Sequence, residues 1–258
     1  MKYSEEIYAD AKEIGAHFDE NIFVFFKILL PVVPFLLFYR LEHFVVPADL
    51  QMFTAPVLKF LQYWAGCAIA YHWMVYCLKG DVPRSFLHIL TGNVKFWLFF
   101  AIVVLFRFFI DLDKIIFAAL GDNHDFIGHF NTLRYGIIAA YVGIIYLVFR
   151  FSFVLPMLAE GKEPQWQISW KATAKDAYQI ILSGLRAALP YLIAVALVPG
   201  IAKTVVGLIF EPGQEKIAMV FYMAMYLPVE LLLVPILFTL GASTAAYHYR
   251  ERIILTQP

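Results

Sequence analysis

The chain has 258 residues, of which 62% are hydrophobic and 16% are charged, and its mean hydropathy is +0.72. A soluble domain is typically about 45–50% apolar and about 25% charged, so this composition excludes a soluble globular protein and predicts an all-α integral membrane protein. Twenty basic and twenty acidic residues leave no net charge, which excludes the broad positive field of a nucleic-acid-binding protein.

The first predicted element is an amphipathic helix over residues 4 to 20, which carries Ile7, Ala11, Ile14 and Phe18 on one side. An apolar stripe among charged residues is typical of a helix that lies on the membrane surface. Six long apolar runs follow, and a helix needs roughly 20 such residues to cross a bilayer core. The six predicted transmembrane helices are residues 21 to 41, 56 to 78, 94 to 110, 135 to 158, 184 to 210 and 216 to 247.

Polar segments join these predicted spans. Residues 164 to 183 mix Trp and Tyr with Lys, which predicts a second interfacial amphipathic helix. Residues 111 to 134 form the longest polar stretch and are predicted to be an outer loop. Pro31 and Pro34 interrupt the first span, where each proline leaves a backbone carbonyl without its helical donor and favours a kink.

The distribution of Lys and Arg predicts the orientation of the chain, because retained cytoplasmic loops are enriched in these residues. With both termini cytoplasmic, eleven Lys and Arg residues fall on the inner side and six on the outer side. The first twenty residues are acidic and polar, unlike the basic start of a cleavable signal. The sequence therefore predicts a multi-pass protein with both termini in the cytoplasm.

Short internal matches favour a repeat. The corner Gly80-x-x-Pro83 matches Gly161-x-x-Pro164, and residues 70–73 (Ala-Tyr-His-Trp) match residues 246–249 (Ala-Tyr-His-Tyr). They suggest a single membrane domain over residues 1–258, built from a surface helix plus a transmembrane hairpin used three times. The units are residues 1–80, 82–161 and 164–258. The alternative is that any six-span protein alternates interfacial and membrane segments, so that its inner loops look alike.

A degenerate motif accompanies this arrangement: Arg150 with Pro156, Gly161, Ser169-Trp170, Asp176-Ala177, and an Ala-rich ending with Tyr247 and Arg250. By these residues and by its architecture, the chain resembles the bacterial six-span membrane proteins of the YciC-type group and the membrane domain attached to some glycerophosphodiester phosphodiesterases. The resemblance implies a location in the bacterial inner (cytoplasmic) membrane. It implies no well-established activity.

Two ionisable residues stand out inside the predicted spans, Arg150 in the fourth and Glu230 in the sixth. A charge in the hydrocarbon region is costly unless it is paired or hydrated. At 1.5 Å per residue both lie roughly 21 Å from the outer face, which makes them a candidate intramembrane pair. Two interpretations stay open: a salt bridge that holds two helices together, or a polar site where Pro228 and Pro235 unwind the sixth span.

Residues around the second amphipathic helix are candidates for contact with lipid headgroups or with a partner subunit. These candidates are Trp166, Trp170, Lys162, Lys171, Lys175 and Arg186. His72 and His248 lie near the predicted inner interface. A hydrogen-bonded packing role is the favoured interpretation for both, ahead of a haem ligand or a proton relay.

The sequence contains no GxSxG, HExxH, P-loop or GxGxxG pattern, so no catalytic residue, cofactor or metal site is predicted. The favoured function is that of a non-enzymatic accessory, assembly or regulatory component of a membrane complex. Its partners would be membrane lipids and other membrane protein subunits. The alternative is a small solute or lipid transporter or channel with a polar site near Arg150 and Glu230. The scarcity of polar residues within the spans favours the first.

Overall fold

The computed structural model describes residues 2–38, 48–83, 85–91, 93–110, 142–144, 146–174, 177–210 and 214–254. Within these ranges the prediction of an all-helical chain is confirmed, and no strand is present. The helices are α1 (Lys2–Glu20), α2 (Ile22–Leu29), α3 (Ala48–Lys79), α4 (Phe86–Thr91), α5 (Val94–Ile110), α6 (Val154–Glu160), α7 (Trp166–Ala172), α8 (Ala177–Ile209), α9 (Glu215–Pro228) and α10 (Val234–Tyr249). Residues 33–38, 142–144 and 146–150 are also helical. The predicted outer loop at 111 to 134 lies outside the described residues.

Three helical segments of the described chain are long and apolar enough to cross a membrane. They are Val142–Glu160, Ala177–Ile209 and Ile217–Ile254. The third continues through π-helical turns at Val229–Leu233 and Arg250–Ile254. A π-turn adds one residue to a helical turn without ending the helix, so Pro228 and Pro235 leave this segment helical and do not unwind it.

Prolines do interrupt the first predicted span, as expected. Helix α2 ends at Leu29, residues 30 to 32 form turns, and helical structure resumes at residues 33 to 38. The Val32 amide donates to the Leu29 carbonyl at 2.9 Å, a tight turn around Pro31. The missing N–H of proline accounts for the break.

Helix α3 lies at the centre of the packed core, in contact with α2, α5, α6 and α10. Trp73 of α3 is fully buried, and its indole Nε1 donates a hydrogen bond of 2.7 Å to Ser243 Oγ of α10. The rings of Phe18 and Phe25 pack against that indole, with centroid distances of 5.8 and 6.5 Å. Because a buried indole N–H needs an acceptor, Ser243 sets the register of α10 along α3.

The small-residue stretch of α10 packs closely, as its composition suggests. Ala242, Ser243, Thr244 and Ala246 are buried. A Cβ added at Gly184 of α8 would lie 3.0 Å from Cγ2 of Thr244. The backbones of α8 and α10 therefore approach each other at a point where only glycine fits without movement.

The structure corrects the interpretation of α1 as a helix whose apolar face rests on lipid. Ile7, Ala11, Ile14 and Phe18 are all buried, and α1 packs against α8 and α10. The apolar stripe was located correctly, but protein covers it. Helical periodicity reveals that one face is buried and does not reveal what buries it.

The second amphipathic segment also divides differently from the prediction. Helix α7 ends at Ala172, and α8 begins at Ala177 and continues without interruption through the predicted fifth span. The predicted start of that span, Gly184, is therefore seven residues late. Ala177 and Ile180 are buried against protein, so the first turns of α8 belong to the core. With 33 residues, the helix is about 50 Å long.

Candidate functional site

Arg150 is buried against aromatic rings. Only 3% of the residue is exposed, and its guanidinium carbon lies 4.1 Å from the centroid of the Trp170 ring and 5.7 Å from that of Tyr146. Its Nε and Nη1 atoms have no hydrogen-bond partner among the described residues. The cation–π contact with Trp170 is therefore the closest compensation for this buried charge.

Glu230 lies elsewhere, in the π-helical turn Val229–Leu233, and is 8% exposed. It lines a cavity of about 240 Å³ together with Gln62 and Arg107. Arg150 does not line that cavity, and among the described residues no ion pair joins Arg150 to Glu230. The structure thus places the two predicted partners in separate sites.

The backbone around Arg150 explains why Ser169 and Thr173 follow it in the sequence. The carbonyl of Arg150 stands where the helix ends in turns at residues 151–153. The hydroxyls of Ser169 and Thr173 each donate a 2.9 Å hydrogen bond to it. Because a carbonyl buried at a helix break needs donors, these two side chains attach α7 beneath the break and hold Trp170 against Arg150.

The two Gly-x-x-Pro corners have the same backbone geometry. Gly80 ends α3 with φ of 73°, and Gly161 ends α6 with φ of 89°. Both values lie in the left-handed region that favours glycine after a helix. The corners also lie close together, because a Cβ added at Gly161 would be 3.4 Å from the Lys79 Nζ atom.

A cavity of about 470 Å³, named here the corner pocket, opens between these two corners. Its polar and charged lining residues are Tyr71, His72, Lys79, Asp81, Ser85, His88, Asn93 and Lys95. Asn93 precedes α5, and its Oδ1 atom accepts a 2.8 Å hydrogen bond from the Phe96 amide and a 3.1 Å bond from the Tyr71 hydroxyl. The N-terminal end of α5 therefore borders the pocket.

Sequence reasoning found the corners but missed the pocket. Residues 71–72, 79–81, 93–95 and 161 converge only after α3, α5 and α6 pack. The matching glycines were the available signal. These glycines indicated two similar helix ends, but the sequence does not show that the two corners lie next to each other.

The described candidates for lipid or partner contact have different neighbours. Lys162 Nζ pairs with a Glu160 carboxylate oxygen at 2.9 Å, and the Arg186 guanidinium lies 4.6 Å from the Tyr8 ring centroid on α1. Trp166 and Trp170 are both partly exposed and both pack on Phe151, with centroid distances of 5.3 and 5.4 Å respectively. Lys171 is exposed on α7. Lys175 lies outside the described residues.

A buried polar network that the sequence reasoning missed joins α1, α8 and α10. Gln179 Nε2 donates to Asp10 Oδ2 at 2.9 Å, and Ser183 Oγ lies 2.8 Å from His248 Nε2. The hydroxyl of Tyr247 donates to Glu13 at 3.2 Å. Asp10 was the available signal, since it sits three residues after Ile7 on the apolar side of α1.

Ser183, His248 and nearby acidic side chains have the residue types of a Ser-His-acid catalytic triad, but their surroundings differ from those of a triad. Glu251 Oε2 lies 4.0 Å from His248 Nδ1, and Asp10 Oδ2 lies 4.0 Å from His248 Nε2. Ser183 and His248 are both 0% exposed, and Ser183 Oγ also donates to the Ile180 carbonyl at 3.1 Å. The Ser183–His248 contact joins α8 to α10 inside the protein. His248 thus has the hydrogen-bonded packing geometry expected for it.

Comparison with protein-family models, curated proteins and solved structures returns no match. The fold therefore gives the class: over the described residues, a helical protein with three segments long and apolar enough to cross a membrane.

Proposed function

We propose that this protein is a non-enzymatic accessory or assembly component of a membrane complex. Its location is the bacterial inner membrane, with six spans built from repeated helix-plus-hairpin units and both termini cytoplasmic. Beyond the three candidate spans, α3 and α5 carry large apolar side chains on their surfaces, among them Phe53, Phe60, Trp97 and Phe108. A bilayer accommodates such rings without the free-energy cost that water imposes, which supports the additional spans.

The observation that carries the accessory role is an exposed small-residue face on α8. Ala196, Gly200 and Thr204 recur every four residues and are all exposed. In the most apolar part of this helix only 6% is buried by the described chain. A Cβ added at Gly200 would meet nothing within 4 Å.

The other end of the same helix shows what such residues do when a partner is present. Gly184 packs closely against Thr244 of α10. Lipid chains gain little from small residues, whereas a neighbouring helix gains close backbone approach and van der Waals contact. The small-residue face of α8 therefore supports a contact with a transmembrane helix of another subunit.

Purification from native membranes in mild detergent tests this proposal. We expect the wild-type chain to co-purify with one membrane protein at fixed stoichiometry, and Gly200→Leu to lose that partner while keeping its helical content and thermal stability. Gly241→Leu is the matched control, because Gly241 is also an open helical glycine but lies on α10. A monodisperse wild-type protein without any stoichiometric subunit contradicts the proposal.

A second candidate function rests on the Glu230 cavity. A buried carboxylate in a π-helical turn, facing Gln62 and Arg107, is a combination found at functional membrane sites. A transporter or channel would use Glu230 as its ion- or proton-binding group. Reconstitution into liposomes with an internal pH dye tests this function. Proton flux that disappears in Glu230→Gln favours the second candidate, and no flux above empty liposomes removes it.

A further inference from the structure

The corner pocket contains a buried nitrogen without a protein partner. His72 is 3% exposed, and its Nε2 atom has no hydrogen-bond partner among the described residues. The ring packs near His88, at 5.7 Å between centroids, and stacks over Phe96 at 6.4 Å. Leaving a buried polar atom unsatisfied destabilises the folded protein. A polar ligand in the pocket would remove that cost.

Two lysines supply positive charge to the same cavity. Lys95 donates from Nζ to the Lys162 carbonyl at 3.3 Å and pairs with Glu163, which holds its ammonium group beside the Gly161 corner. Lys79 has its Nζ next to Gly161 and forms no ion pair with any described residue. The glycine thus leaves room for an ammonium group that has no anionic partner within the described part of the chain.

The remaining lining adds donors and a partial positive charge. His88 and Asn93 line the cavity, and α5 begins at Val94 beside it. The unpaired amides at the start of a helix carry partial positive charge and favour anions. Asp81 also lines the pocket; it is exposed, as Lys79 is, so water and salt screen the repulsion from Asp81 and the attraction of Lys79 alike. The volume of about 470 Å³ falls within the range of small-ligand sites, about 300–1,000 Å³.

We propose that the corner pocket is a binding site for a phosphate group, held by Lys79, Lys95 and the Nε2 atom of His72. The oxygens of a phosphate accept from both ammonium groups, and a hydroxyl of the phosphate or of a glycerol headgroup donates to His72 Nε2, because a neutral imidazole has one donor and one acceptor nitrogen. The phosphate can belong to the headgroup of an anionic phospholipid or to a soluble phosphate. The site is independent of the accessory role and of the Glu230 cavity.

Binding to the purified full-length chain tests the site with two probes. Calorimetry with inorganic phosphate in detergent measures the soluble source. Native mass spectrometry after reconstitution in phosphatidylglycerol and phosphatidylcholine nanodiscs measures retained lipid. We expect Lys79→Gln to weaken binding of the active probe by about tenfold or more, the loss expected for one charge-assisted hydrogen bond. We expect His72→Phe to weaken it as well.

Lys171→Gln is the matched control, because Lys171 is an exposed lysine that does not line the pocket. Retention of phosphatidylglycerol that depends on Lys79, without phosphate binding, assigns the headgroup as the ligand. Phosphate binding that depends on Lys79 assigns the soluble source. Because Lys79 is exposed, its substitution leaves the core intact even where His72→Phe fails to fold. Binding of neither probe, or equal losses in Lys79→Gln and Lys171→Gln, overturns the proposal.

Discussion

Arg150 illustrates how a buried charge in this protein is stabilised. Its guanidinium is stacked on Trp170, and its backbone carbonyl accepts from Ser169 and Thr173. Side chain and backbone are thus both held by α7. The short helix owes its position to this one residue, because three of its contacts converge there.

A double-mutant cycle measures which partner Arg150 uses. We expect Arg150→Ala and Trp170→Leu to be coupled by about 1–2 kcal/mol of unfolding free energy, the range for a desolvated cation–π contact. We expect Arg150→Ala and Glu230→Gln to be additive within about 0.5 kcal/mol, because their side chains do not meet. The measurement is reversible unfolding in mixed micelles, followed by helical circular dichroism. Strong coupling to Glu230 with none to Trp170 would contradict the structure.

At the scale of elements, α1 is an integral part of the helix bundle. It packs on α8 and α10 through its apolar side, where the buried Asp10 also accepts a hydrogen bond from Gln179. The Tyr8–Arg186 stack adds a second link between α1 and α8. The amino-terminal helix therefore contributes to the stability of the whole core.

Two phenylalanines near the end of α1 separate burial in protein from contact with lipid. Phe18 is 1% exposed and Phe23 is 85% exposed. We expect Phe18→Ala to lower the unfolding free energy by about 3–5 kcal/mol, as for other buried aromatic residues. Phe23→Ala should change it by less than about 1 kcal/mol, because the surrounding protein loses no packing there. Steric-trapping measurements in bicelles give both values. Equal losses of unfolding free energy in the two variants would contradict the burial of Phe18 in protein and would favour the original prediction that α1 lies on the membrane surface.

At the scale of the whole molecule, the candidate spans differ in how much of each the protein covers. Helix α3 and its neighbours form the core around Trp73, whereas α8 is largely uncovered over its most apolar part. The corner pocket lies against the core, and the small-residue face of α8 lies on the uncovered part. A ligand site and a partner surface can thus coexist without sharing residues.

Reporter fusions test the proposed orientation of the whole chain. With both termini cytoplasmic, a green fluorescent protein fused after Pro258 should fluoresce, and alkaline phosphatase at the same site should be inactive. The reciprocal control is a phosphatase inserted between residues 111 and 134, the predicted outer loop, where it should be active. An active carboxy-terminal phosphatase would show that the carboxy terminus is outside. Either the amino terminus would then also lie outside, or the chain would cross the membrane an odd number of times.

The helical character of this protein, and the presence of segments long and apolar enough to cross a membrane, follow from its sequence alone. Composition and apolar run length are local properties, and they predicted the helices that cover Ala177–Ile209 and Ile217–Ile254. The helix ends at Gly80 and Gly161, where φ is positive, can also be predicted from the sequence. A glycine followed by a nearby proline favours a helix end whatever the distant residues are. The apolar stripe of α1 can likewise be predicted from the local sequence.

Only the tertiary structure decided which side chains meet. Arg150 and Glu230 lie at similar predicted depths, yet depth does not specify which faces of two helices contact each other, and Trp170 occupies the place beside Arg150. The corner pocket required α3, α5 and α6 to converge. Partner choice is a property of helix packing, which a pattern of apolar residues along one chain does not contain.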